Sequence, residues 1–137
     1  MSTTNEIIEF VKKSTGLKNI TADTDIFNSG IVGDDFHELI REFAKTYSVD
    51  MTNYLWYFHA DEEGGKGIGG LFFDPPYKKV NRISVTPLQL TEFANKGKWE
   101  IEYPKHRVPK RRYDLLINTI LLVVVIVWLV MAALKKC

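Results

Sequence analysis

The sequence predicts a mainly α protein: a small helical bundle with one short β pair, followed by a single C-terminal transmembrane helix. Three observations predict it. Residues 115–134 form an apolar run without a charge. Residues 36–47 repeat apolar side chains at helical spacing. Thr3-x-x-Glu6 and Thr86-Pro87-x-Gln89 carry the residue types that open helices.

The first helix starts at the Thr3–Glu6 capping box, carries Ile7, Ile8, Phe10 and Val11, and should stop near Thr15-Gly16. A loop follows, with Asp23, Asp25, Asn28, Ser29 and Gly30 as turn formers around Ile26 and Phe27. The second helix has the clearest pattern, with Phe36, Leu39, Ile40, Phe43, Ala44 and Tyr47 on one stripe. Asp34 or Asp35 stands where an N-cap belongs. The aromatic stretch 53–60 suggests a short third helix, and 61–70 a polar, glycine-rich loop. The final short helix of the bundle starts at Thr86-Pro87 and ends at Gly97. Trp99, Ile101 and Tyr103 alternate with Lys98, Glu100 and Glu102, a strand pattern suited to pairing with 82–85.

The expected domains are a body over 1–103, a basic linker over 104–114, a membrane span over 115–134 and a tail over 135–137. Twenty residues at about 1.5 Å each span roughly 30 Å, the thickness of a bilayer's hydrocarbon core. Trp128 lies well inside the span, and no G-x-x-x-G is present to drive close helix pairing.

Charge is split along the chain. Up to Tyr103 there are 11 Lys+Arg against 16 Asp+Glu; from Pro104 there are 7 against one, Asp114. An acidic body argues against nucleic-acid binding. Lys105, Arg107, Lys110, Arg111 and Arg112 precede the span, and only Lys135 and Lys136 follow it. That excess is expected to keep the body cytoplasmic. It also offers the lipid bilayer's anionic headgroups a positive surface. The N-terminus lacks an apolar h-region, so no signal peptide is expected. Cys137 is the only cysteine, which excludes an intramolecular disulfide and a cysteine zinc site.

Chemistry-bearing motifs do not assemble into a site. Gly65, Gly67 and Gly70 spell G-x-G-x-x-G, but the motif binds dinucleotides only between a strand and a helix, so a loop is expected. His37-Glu38 opens H-E-x-x-H, yet the fifth position is Arg41. His59 with Asp61, Glu62 and Glu63 offers one nitrogen ligand and reads as a solvated acidic patch. His106 belongs to the basic junction. No catalytic residue, metal or cofactor is expected. Asp34, Asp35, Glu38 and Glu42 make the start and one face of the second helix negative, which suits docking to a basic-surfaced protein.

Residues 20–50 resemble the central part of an acyl carrier protein. A segment like I-T-A-D-T-D-I-F leads there to a short motif and an acidic second helix, with Glu38-Leu39 and Tyr47 matching it. The resemblance implies a bundle of three to four helices. It departs at the prosthetic-group site. The family has Asp-Ser-Leu, and its serine carries phosphopantetheine. Aligned on Glu38-Leu39, Val32-Gly33-Asp34 stands there, with Gly33 at the serine; a shifted register puts Asp35 there instead. Ser29 and Ser48 lie outside the motif, so no prosthetic group is implied. Over residues 5–103 the chain also resembles a bacterial family of acyl-carrier-like proteins of unknown function, which similarly read G-D-D followed by a tail like I-S-V-T-P-L-Q-L-T-E-F-A-N-K-G-K-W.

The sequence thus leads to a membrane-tethered, non-catalytic interaction module on the cytoplasmic face of a bacterial inner membrane. A genuine membrane-anchored acyl carrier in lipid metabolism is the alternative from another class. An immunity or regulatory protein acting on a membrane partner is a further one.

Overall fold

Thr3 opens helix α1 (Thr4–Thr15) with the full capping box. The Thr3 N–H donates to Glu6 Oε2 at 2.8 Å, and the Glu6 N–H donates to Thr3 Oγ1 at 3.3 Å. Both are backbone donors that the helix itself leaves unpaired. Gly16 closes the helix in the left-handed region, φ 74°, its N–H reaching the Lys12 carbonyl. The computed structural model describes residues 1–62 and 67–137. Among them one compact unit draws on 1–62 and Val80–His106, and another on 67–79 and Arg107–Cys137.

In the first unit, α1 buries Ile7 and Val11 against α2 (Gly33–Tyr47) and α4 (Pro87–Lys96). Helix α2 turns Phe36, Leu39, Ile40 and Phe43 inward, as its spacing predicts. Its N-cap is Val32, with no side-chain cap bond; Asp34 and Asp35 lie inside the first turn. They therefore act on the helix dipole and not as caps. Thr86 caps α4 through a second reciprocal box with Gln89, and Pro87 sits in the first turn. Ser2 and Asn95 exchange two hydrogen bonds, of 2.7 and 3.0 Å, and so tie the N-terminus to α4.

The mainly helical class is as the sequence predicts, but the short β pair is not formed among the described residues. Residues 98–103 keep the alternation in burial: Trp99 is fully buried, Ile101 and Tyr103 half-buried, and Lys98, Glu100 and Glu102 exposed. The pairing differs. One isolated parallel bridge joins Asp50 to Lys98, with Asp50 bonding to Gly97 and Trp99. The backbone of 82–85 is already committed to loops. Ile83 N–H donates to the Phe58 carbonyl, and the Val85 carbonyl accepts from Ile26 N–H. Alternation thus reports which side of an extended chain faces the core, with or without a neighbouring strand. The stretch 53–60 forms only a 3₁₀ turn, Trp56–Phe58.

Its aromatic residues build one end of the core. Trp99 packs on Phe93, ring centroids 4.6 Å apart, and edge-on to Tyr54 at 4.9 Å. His59, expected on a solvated loop, is fully buried and stacks on Tyr54 at 5.5 Å.

In the second unit the long helix is α5 (Tyr113–Lys136), with a mean hydropathy of 2.9 over its best window. It is long and apolar enough to cross a membrane. Over residues 122–131 its apolar side chains are exposed on all sides. The four-residue helix α3 (Gly69–Phe72) packs on α5 and begins on the last two residues of the stretch 61–70 expected to be loop. Arg112 grips Asp114 with two bonds, of 2.9 and 2.5 Å, at the start of α5.

Candidate functional site

Helix α2 carries the candidate docking residues. At about 100° per residue, Glu38 and Glu42 fall between Asp34 and Asp35, and all four acids lie within an arc of about 100°. The four acids lie on one side of α2, with Asp34 at one edge of it and Asp35 at the other. Asp35, Glu38 and Glu42 line an open groove of about 320 Å³ together with Ser14 and Thr15 of α1. All four acids are exposed, and among the described residues none forms an ion pair. The groove thus holds three carboxylates whose field is open to an incoming cationic group.

Asp34, at the edge of that side, borders a second cavity. With His37, Arg41 and Glu62 it supplies the polar part of this larger cavity of about 480 Å³. Ile40, Ala44, Met51, Tyr54 and Trp56 supply the apolar part. The His37 ring meets Trp56 edge-on at 5.6 Å. Burial and the neighbouring Tyr103 push the Tyr54 phenol well above its ordinary pKa, and its buried hydroxyl has no hydrogen-bond partner among the described residues.

Gly33 is the first residue of α2. It is buried, its φ is 52°, and its N–H donates to Asp61 Oδ1 at 3.3 Å. A left-handed φ disfavours any residue with a Cβ. Glycine is favoured here for its backbone, and Asp61 satisfies one of the donors of an α2 start that lacks a capping side chain. The G-D-D pattern signalled this position; the bond to Asp61 had no signal in the sequence.

Of the basic residues, Lys105, Arg107, Lys110 and Arg111 are exposed. Arg112 is partly buried, and Asp114 holds its guanidinium. Among the described residues no group of three or more His, Cys, Asp or Glu side chains is arranged to hold a metal. Glu63 of the acidic run and Gly65 of the glycine motif lie outside the described residues. Both ring nitrogens of His59 are engaged, Nδ1 with the Ile83 carbonyl at 2.9 Å and Nε2 with the Tyr103 hydroxyl at 2.8 Å. Compared with known proteins, the chain matches no family model, no curated protein and no solved structure.

Proposed function

We propose that this chain is a non-catalytic, acyl-carrier-like interaction module, tethered by α5 to the cytoplasmic face of a bacterial inner membrane. Its α2 groove docks a basic-surfaced protein working at that membrane. The observation that carries the proposal is the set of Asp35, Glu38 and Glu42, exposed on one face of α2 and without ion pairs among the described residues. Such a face contributes to partner choice and association rate more than to the fold. Tethering raises the effective concentration of the module against partners in the same membrane. Lys105, Arg107, Lys110 and Arg111 are exposed and suited to anionic headgroups. Gly33 favours docking over a carrier role, because it offers no hydroxyl and is buried at a left-handed φ.

The test is crosslinking in native membranes with Glu38→Lys and Glu42→Lys together, scored for the proteins captured by the unaltered chain. The charge-reversed chain should lose those partners while keeping its melting temperature. The unaltered complex should weaken as salt rises. Identical capture by both chains would sink the docking surface.

A further inference from the structure

Resting on α5 as a membrane span, we propose that residues 68–73 are a second membrane contact: a short apolar foot set into the headgroup boundary beside the first turns of α5. Depth is the first argument. The uninterrupted apolar part of α5, residues 120–134, rises only about 22 Å, short of the roughly 30 Å of hydrocarbon. Asn118 and Thr119 must therefore enter the bilayer. Thr119 satisfies its hydroxyl within the helix, donating to the Leu115 carbonyl at 2.9 Å. The Asn118 side-chain oxygen accepts the Gly69 N–H at 2.8 Å. The foot consequently rides at the depth of Asn118, about one turn inside the span.

The close approach is built into the backbone. A Cβ on Gly69 would collide with the Asp114 carbonyl oxygen, and one on Gly67 would lie 2.5 Å from the Asn118 amide. Gly70 is buried as well. The glycine-rich stretch thus brings this turn flat against α5. It carries little unmet polarity outward: Leu71 N–H donates to the Ile68 carbonyl, and Phe73 N–H to the Gly69 carbonyl. Backbone satisfied in this way tolerates an apolar surround.

What the foot presents outward is apolar. Leu71 is 78% exposed, Phe72 71%, Ile68 56% and Phe73 45%. Four such side chains clustered in water would be costly, whereas at an acyl–headgroup boundary they find apolar neighbours. The Phe73 ring lies 5.6 Å from that of Tyr113, an aromatic pair of the kind that belongs at this level of a membrane. Lys110 and Arg111, exposed in the same unit, suit anionic headgroups at the same level. The patch is continuous with the apolar surface of α5, and lipid is its occupant.

The test uses the full chain in vesicles of phosphatidylcholine and phosphatidylglycerol. Cys137→Ser removes the native thiol, and an environment-sensitive fluorophore is attached at Leu71→Cys or at Val127→Cys, both exposed positions. The Leu71 label should shift its emission to the blue and be quenched by lipids brominated near the headgroup. The Val127 label should be quenched only by deeper bromines. A Val127 label in lipid with a Leu71 label open to aqueous iodide would overturn the foot and leave the span intact. A Leu71 label protected from both quenchers would assign the patch to a protein surface, and also overturns it. Labels at both positions open to iodide would remove the span and the foot together.

Discussion

The Nε2 of His59 lies 2.8 Å from the hydroxyl of Tyr103, and this contact assigns the protons around it. The Ile83 carbonyl can only accept, so His59 Nδ1 carries the proton and donates it there. Nε2 is then bare and accepts the Tyr103 O–H. The Tyr103 oxygen in turn accepts the Trp99 indole N–H at 2.9 Å and the Leu55 N–H at 3.2 Å. Every member is satisfied while His59 is neutral. An imidazolium would press a fourth hydrogen on the Tyr103 oxygen and strand the tyrosine's own. Burial, aided by the positive charge of Arg82, holds His59 down to about 4, and the bond to Ile83 opposes this only in part.

A neutral buried histidine makes stability depend on pH, and the sign is fixed. The unfolded chain takes up the proton near 6.5, the folded chain only near 4. The contribution is complete above 6.5, drains away as pH falls toward 4, and is flat below. It amounts to about 3 kcal/mol in all, about 2 of it gone by pH 5. Urea midpoints of the detergent-solubilised chain should fall accordingly between pH 7 and 5. The slope should largely vanish in His59→Gln. An equal slope in that variant would assign the titration to another group.

Tyr103→Phe removes one donor and one doubly used acceptor at once. It leaves His59 Nε2, the Trp99 N–H and the Leu55 N–H without their partner, at a cost of about 2–4 kcal/mol. Tyr57→Phe provides the contrast. Its hydroxyl bonds to His106 at 2.9 Å on the surface, where water replaces it, and should cost about 0.5 kcal/mol. Comparing the two urea midpoints measures the difference.

The helices were legible because their signals are local. Both capping boxes form at the expected residues, and Gly16 and Gly97 end their helices in the left-handed region. The aromatic stretch 53–60 was not legible as packing. What holds it are bonds from His59 to Tyr103 and Ile83, 44 and 24 residues away, which no local pattern encodes. The acids of α2 follow the helical step, which brings Glu38 and Glu42 between Asp34 and Asp35; that Asp34 also lines a separate cavity had no signal in the sequence. Asn118 stood out only as a polar residue near the start of an apolar run; its partner Gly69 was hidden among neighbouring glycines.

The caps give a discriminating prediction. Thr3→Ala and Thr86→Ala should each cost about 1 kcal/mol, a melting shift of about 4–8 °C in a domain of this size. Asp34→Ala should cost no more than about 0.5 kcal/mol, because Asp34 makes no cap bond and contributes only through the helix dipole. Thermal melts of the three variants rank them.

Gly33→Ser restores a hydroxyl at the position that the carrier resemblance gives to serine. At φ 52° the new Cβ is strained, and destabilisation of about 1–2 kcal/mol is expected. Co-expressed with a phosphopantetheinyl transferase, neither the native chain nor this variant should gain the mass of the prosthetic group. Intact-mass measurement checks both, and an increment on the native chain would establish a true carrier.

The proposed orientation rests on unequal flanking charge, and Cys137 can test it, being the only cysteine and lying at the far end of α5. With the body cytoplasmic, a membrane-impermeant maleimide added to spheroplasts should label Cys137, and protease added from the same side should leave the body intact. Replacing Lys105, Arg107, Lys110 and Arg111 with Gln removes the retained charge, so Lys135 and Lys136 then dominate. A fraction of chains should invert, losing maleimide reactivity and gaining protease sensitivity. Arg112 is left out of that set for a physical reason. Its guanidinium compensates the buried Asp114, so Arg112→Gln leaves a carboxylate with little solvent and no cation. That variant should lower the yield of folded chain without changing which side Cys137 faces. Inversion by Arg112→Gln alone would give this one residue the orienting role and not the cluster.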